Sequence, residues 1–250
     1  MGRIVGRRLP ASLEAAWGIR ERSVKGPKRS LTLPRIVSAG VKVASTRGLD
    51  GVSMSRVASE LRAATMALYR HVGSKEELLA LMVDSVFADA PAPRTPDEGW
   101  RAALSRWAHE HRRVLQRHPW VIRVPLSGPP LMPNQVVWFE RALSCLQGTG
   151  VSEREKASAL LLVNGFVRNE AMLAADLQMA ARAARSTMEQ AMSSYGKQLE
   201  RLTDPQRFPA IHSAIAAGVF DRPDAGDMDP DFEFGLARIL DGIGALILAP

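Results

Sequence analysis

Residues 65–79 read TMALYRHVGSKEELL. Thr65, Met66, Ala67, Tyr69, Arg70 and His71 crowd a short rod, Gly73 breaks it, and Ser74-Lys-Glu-Glu77 opens a new helix as a capping box. Leu68 and Val72, four apart, supply an inward face, which leaves the other side chains on the outer and flanking faces. A helix that only filled a core has no use for phenol, guanidinium and imidazole tips, and a catalytic site would gather them at one point. Laid along a rod, they suit an external surface. They can bond phosphates or base edges, and the methyl groups of Thr65 and Ala67 fit a thymine methyl. Lys75 stands at a helix start, where the dipole already favours phosphate.

Outward from this stretch almost every segment reads as helix, with no sustained alternation of period two, so the fold class is all-α. Periodicity predicts helices near 33–47, 54–61, 65–71, 74–88, 97–117, 134–148, 153–183, 187–201, 205–217 and 230–248. Ser152-Glu-Arg-Glu155 is a second capping box, and Thr95-Pro96, Asp204-Pro205 and Asp229-Pro230 each offer an N-cap followed by a first-turn proline. APAPRTP at 90–96 reads as a linker, VPLSGPPLMP at 124–133 as irregular, and 221–231 as an acidic loop. Three units follow: a basic arm at 1–30, a small helical domain at 31–88 and a larger one at 97–250.

In the small domain Ile36, Val37, Ala39, Gly40, Val43 and Ala44 form one stripe, and Gly48 ends that helix. Ser53 is a plausible N-cap for the next, with Val57, Ala58 and Leu61 inward. Only Arg62–Ala64 separate it from the third. Two short helices joined so tightly form a helix-turn-helix, whose second helix lies in the major groove of DNA.

The stretch LTLPRIVSAGVKVASTRGLDGVSMSRVASELRAATMALYRHVGSKEELLALMVD, residues 31–84, strongly resembles the DNA-binding domain of the tetracycline-repressor (TetR) family of transcriptional regulators. The resemblance implies that LYRHV belongs to the recognition helix and that Lys75 contacts phosphate. Ser53 and Ser55 match second-helix positions that touch backbone or groove in relatives. Arg62 departs from the family pattern, which usually has glycine at that turn. The implied partner is double-stranded operator DNA, read by Ser53, Ser55, Thr65, Met66, Ala67, Tyr69, Arg70, His71 and Lys75.

The net charge of +7 is distributed unevenly. Residues 1–30 hold eight Lys/Arg against two Asp/Glu, residues 31–88 seven against five, and the remainder eighteen against nineteen. A basic end on a neutral body suits a polyanion, because neutralised phosphates release counterions. In the arm, Arg3, Arg7, Arg8, Lys25, Lys28 and Arg29 are candidates for phosphate or minor-groove contacts, and LEAAWGI is apolar enough to dock on the body.

The larger domain offers no catalytic pattern. His109 and His111 are two apart and point to different sides, against the three or four that helical metal ligands need. Ser127 and Ser144 have no nucleophile arrangement around them, and no glycine-rich phosphate loop occurs, so neither enzyme activity nor a cofactor is expected. Cys145, the single cysteine, reads as a small buried apolar residue. Residues 1–20 lack an export signal and no run spans a bilayer, which points to a cytoplasmic protein without a membrane partner.

Trp107 and His111 share one helical face, and Trp120, Trp138, Phe139, Asn164, Phe166, Arg168 and Met172 add aromatic, polar and flexible apolar groups. An apolar cavity with a few fixed polar groups is how small-molecule sites are built, though such residues also pack ordinary cores. Residues 100–178 and 205–248 resemble, less specifically, the effector-binding domain of the tetracycline-repressor subgroup. That resemblance implies effector-facing roles for Trp107 and His111, and the chemistry adds Trp138, Asn164, Arg168 and Met172. Leu236, Leu240, Ile243 and Ile247 make an apolar seam, with Gly235, Gly242 and Gly244 beside it. Helices 153–183 and 230–248 are therefore candidate homodimer surfaces, as in the family's four-helix bundle, with burial inside one chain the competing view. The expected function is a ligand-responsive repressor that binds a palindromic operator as a homodimer. The alternative is a small-molecule-binding or enzymatic helical protein with a vestigial helix-turn-helix.

Overall fold

Helices start where side chains satisfy the free N–H groups of their first turns. The computed structural model describes residues 11–19, 31–125, 128–221 and 229–248, and the six basic arm residues named above lie outside them. In chain order the helices are α1 (Ala11–Ala16), α2 (Leu33–Arg47), α3 (Met54–Glu60), α4 (Thr65–Leu68), α5 (Lys75–Val86), α6 (Trp100–Arg117), α7 (Pro133–Cys145), α8 (Glu153–Ala183), α9 (Met188–Leu202), α10 (Pro209–Ala216) and α11 (Pro230–Leu248). Short 3-10 turns occur at Leu49–Gly51 and Pro119–Arg123. No strand is present among the described residues, and no helix there is long and apolar enough to cross a membrane.

Several caps form as their sequences predict. Ser53 Oγ accepts from Arg56 N at 3.2 Å, and Ser74 Oγ from Glu77 N at 3.2 Å, while the Glu77 carboxylate takes Gly73 N. Ser152 and Glu155 close a full capping box, and the Asp229 carboxylate accepts from Asp231 N and Phe232 N. Thr187 and Gln190 form another box at the start of α9 that the sequence reading passed over.

Two expected caps do not form. α6 begins at Trp100 after Gly99, because Thr95 is used in a turn that accepts Glu98 N, and the Glu98 carboxylate is held by Arg106 at 3.0 and 2.6 Å. Arg94 fastens the same linker, donating to the carbonyls of Glu98, Cys145 and Gln147. At Asp204-Pro205 the chain makes a turn, with Arg207 N and Phe208 N both donating to Asp204 O, and α10 starts at Pro209 instead. α4 is also shorter than the expected 65–71: His71 N and Val72 N both donate to Leu68 O, which tightens the chain out of the helix.

Arg62 does take the conformation that glycine usually supplies. Its φ is +53°, with Ala63 N donating to Ala58 O and Arg62 N to Ser59 O, a Schellman ending of α3. The left-handed region costs an L-residue about 1–2 kcal/mol, partly offset by the entropy that glycine loses on folding. Arg62→Gly should therefore raise stability by about 0.5–1 kcal/mol, seen as a higher urea midpoint; an unchanged or lower midpoint would refute the strain argument.

α2, α3 and α5 pack around Ile36, Val57, Leu68, Val72, Leu78 and Met82, all buried. Gly40 lets α2 approach α5: an added Cβ would lie 2.6 Å from Met82 Sδ. In the body α6 packs on α8 and α11 through Leu104, Leu115, Val163, Val167 and Phe232. α1 does dock: Leu13 is buried and Trp17 Nε1 donates to Leu131 O at 2.8 Å, against α5 and the 124–133 segment.

The seam on α11 faces the opposite way from its assignment as a dimer surface. Leu236, Leu240 and Ile243 are buried against the same chain, where they join the α6 and α8 core, and Ile247 is partly buried there. Gly235 belongs to this inner contact, since a Cβ there would meet the Phe166 ring at 2.5 Å, and Gly244 faces Trp100. A stripe of period 3.6 fixes a face without saying which neighbour covers it. Gly242 has open space around it.

Candidate nucleic-acid interface and effector site

α4 presents its polar groups because Leu68 and Val72 anchor it from below. Met66 is 72% exposed and Tyr69 45%, while Arg70, His71 and Lys75 are exposed and Thr65 and Ala67 half-buried. Among the described residues the side chains of Tyr69, Arg70, His71 and Lys75 make no hydrogen bond or ion pair. Lys75 is the first residue of α5, where N–H groups and the helix dipole favour an anion. Ser55 is exposed at the start of α3, whereas the Ser53 hydroxyl is half-buried and engaged as the N-cap, 3.1 Å from Ser55 Oγ. Tyr69, Arg70, His71 and Lys75 can bind phosphate and read base edges without first breaking internal bonds, whereas the Ser53 and Ser55 hydroxyls are already bonded within the chain.

In the body Trp107, His111 and Trp138 come together with Phe87, the residue that ends α5. Ring centroids lie 5.0 Å apart for Trp107 and His111, 5.7 Å for His111 and Trp138, and 5.5 Å for Phe87 and His111. Trp107 Nε1 donates to Trp138 O at 3.0 Å, and Trp138 Nε1 to Phe87 O at 2.8 Å. Asn164 and Arg168, four apart on α8, are half-buried, and Met172, one turn on, is 37% exposed. His109 points elsewhere, bonded to Ser105 O and to Glu233 of α11 at 2.7 Å. Cys145 is buried, its thiol pushed up to about 11 by desolvation.

Sequence reasoning missed the links between this cluster and the reading head. The carboxylate of Asp84, buried near the end of α5, accepts from Gln135 N and Asn134 Nδ2, both at 3.0 Å, at the first turn of α7. Burial pushes its pKa up, opposed by those same hydrogen bonds. Phe87 and Asp84 therefore hold the head's last helix to the α7 that carries Trp138. No local pattern marks such a pair; an aspartate on the inner side of an apolar helix was the one available signal.

Burial, reinforced by the charge of Arg168, pushes His111 down to about 3. The unfolded chain titrates near 6.5, so as pH falls it takes up the proton first; the stability that neutral His111 supplies above 6.5 is withdrawn between 6.5 and about 3. Between pH 6.5 and 5 the loss should reach about 2 kcal/mol. Urea denaturation at pH 7 and pH 5 checks this, with His111→Phe expected to flatten the response; parallel pH profiles for the two proteins would contradict it.

Comparisons with known proteins bear on both sites. A family model described as "Bacterial regulatory proteins, tetR family" matches residues 36–82, and one described as "Tetracyclin repressor-like, C-terminal domain" matches 92–247. The chain is 37% identical over 243 residues to the HTH-type transcriptional repressor DrrR1 of Streptomyces coeruleorubidus, covering 96% of this chain and 87% of that protein. It is 26% identical over 212 residues to the tetracycline repressor protein class A from transposon 1721 of Escherichia coli, covering 83% and 88%. The crystal structure of the Streptomyces coelicolor TetR family protein ActR in complex with actinorhodin superposes with a TM-score of 0.73 at 27% identity, over 88% of this chain and all of that one.

Proposed function

This chain belongs to the tetR family of bacterial regulatory proteins, and from that premise we propose that it is a ligand-responsive transcriptional repressor. A homodimer holds a near-palindromic operator through Ser53, Ser55 and the Thr65–Lys75 surface. A small molecule beside Trp107, His111, Trp138, Asn164, Arg168 and Met172 releases it. The observation that carries the DNA-binding half is the outward, internally unbonded set Tyr69, Arg70, His71 and Lys75 on a well-packed head. A vestigial helix-turn-helix has no reason to keep it. The effector half is supported by the aromatic cluster that touches the end of α5, and by the complex of ActR with actinorhodin.

The dimer reading rests on the flanks of α8 and α11 turned away from the core, where Leu161, Leu162, Leu173, Phe234 and Leu246 are exposed. A two-fold pair sets the reading helices about 34–36 Å apart, one turn of DNA. Coupling is reciprocal, so an effector that weakens operator binding is itself bound more weakly by the operator complex. A shift assay on the gene's own upstream DNA tests the whole. Specific retardation is expected, and its absence at low salt would favour the competing reading of a small-molecule-binding protein without a regulatory role.

A further inference from the structure

Among the described residues two that are not glycine have positive φ, Arg62 at +53° and Arg185 at +52°, and each closes a helix in the same way. Arg185 N donates to Arg182 O and Ser186 N to Ala181 O at the end of α8, the pattern that Arg62 N and Ala63 N make at the end of α3. This backbone region strains any L-residue. A cation past a helix C-terminus is favoured by the dipole, which is reason enough for an arginine at Arg185. Arg62 differs in where it stands. The turn between α3 and α4 has two sides: Leu61 and Ala63 are half-buried and pack on the core, while Arg62 and Ala64 are exposed. The exposed side runs on into Met66, Tyr69 and Arg70. The Arg62 side chain makes no hydrogen bond or ion pair among the described residues, and the carboxylate two residues before it, Glu60, is taken by Lys42 at 2.5 Å. A strained residue therefore holds out a charged fork that nothing in the head uses.

We propose that Arg62 is a phosphate contact of the reading head, a guanidinium clamp on the DNA backbone beside the point where α4 enters the major groove. In a helix-turn-helix the first helix crosses the backbone and the first residues of the second meet base edges. The turn that joins them stands over the phosphates at the edge of the groove. An arginine suits that place, because its planar fork matches two phosphate oxygens through parallel charge-assisted hydrogen bonds. The bond formed on DNA offsets backbone strain that no internal contact of the side chain repays. Such a contact fixes register and carries no base preference, so it acts alike on every sequence. The proposal rests on the DNA-binding reading above and adds a residue outside the surface formed by Ser53, Ser55 and Thr65–Lys75.

Fluorescence anisotropy of full-length protein tests it on two labelled duplexes, the gene's own upstream DNA and a random sequence of equal length, over a series of potassium chloride concentrations. Arg62→Gly and Arg62→Gln should each weaken binding about tenfold or more on both duplexes near physiological salt. The slope of log affinity against log salt should become shallower by about two, one phosphate for each protomer of a dimer. Arg62→Lys keeps the charge and should keep the slope and most of the affinity. Arg185→Gly removes the same charge and the same strain from the end of α8 and should bind as wild type does. Arg62→Gly is also expected to be the more stable chain, so its loss of affinity cannot come from unfolding. Affinity within threefold of wild type in Arg62→Gln, an unchanged salt slope, or an equal loss in Arg185→Gly would overturn the proposal. A wild-type chain that binds neither duplex at low salt would overturn the repressor reading as well. One that binds its upstream DNA and is indifferent to Arg62 removes this contact alone.

Discussion

Replacing Tyr69 and Lys75 together by alanine should abolish operator binding at physiological salt and leave the protein folded. Neither side chain bonds to the rest of the described chain, and the core beneath is built from Leu68, Val72 and Leu78 instead. A contact to DNA of either type contributes about 1–3 kcal/mol, so losing two per protomer weakens the dimer by several orders of magnitude. Tyr69 is only 45% exposed, and the packed part of its ring predicts a small fall in melting temperature for the variant, not unfolding. Lys75→Ala alone should weaken binding about equally on every sequence and flatten the salt dependence by roughly one ion per site. Tyr69→Ala alone should act more strongly on the specific site than on random DNA. Affinity within threefold of wild type in the double variant would remove α4 from the interface.

Asp84→Ala should separate the head from the body. The carboxylate joins α5 to the first turn of α7 through Gln135 N and Asn134 Nδ2, and Asn134 Nδ2 also donates to Asp84 O. Alanine strands the part-buried Gln135 N–H and withdraws a negative charge from a helix start; together these cost about 2 kcal/mol. The expected signature is a lower midpoint and a melting curve that splits into two steps, because the side-chain ties left nearby are Asn134 Nδ2 to Asp84 O and Trp138 Nε1 to Phe87 O. Asp84→Asn keeps one acceptor oxygen and should fall between. On the proposed reading, a signal at Trp107 and His111 would reach the reading surface through the same junction, by α5 following α7. A single transition at the wild-type temperature in Asp84→Ala would show that the junction carries neither stability nor coupling.

The sequence made the head and the two longest helices legible because their information is local. Ser152 with Glu155, and Asp229 with Pro230, mark the starts of α8 and α11 where the structure has them. Leu68 and Val72 sorted the inner face of α4 from the outer one, and the outward residues stand where that sorting puts them. What was not legible joins distant residues. Arg94 to Cys145, Asp84 to Asn134 and Trp138 to Phe87 each pair positions about fifty apart, with no spacing rule to announce them. Thr95 failed as a cap because Arg106 competes for Glu98, a contact visible only after α6 is placed. The α11 seam was found but misassigned, since an apolar stripe looks the same whether its cover comes from within the chain or from a twin.

That reversal bears on how the chain behaves in solution. With Leu236, Leu240 and Ile243 already spent inside the protomer, α11 still shows Phe234 and Leu246 on its other flank, and α8 likewise shows Leu161 and Leu162. Both rods are apolar on two sides, so in the proposed homodimer folding and pairing would draw on one equilibrium. Its heat resistance should climb with protein concentration, as mass action demands of any assembly in which the separate piece is weak.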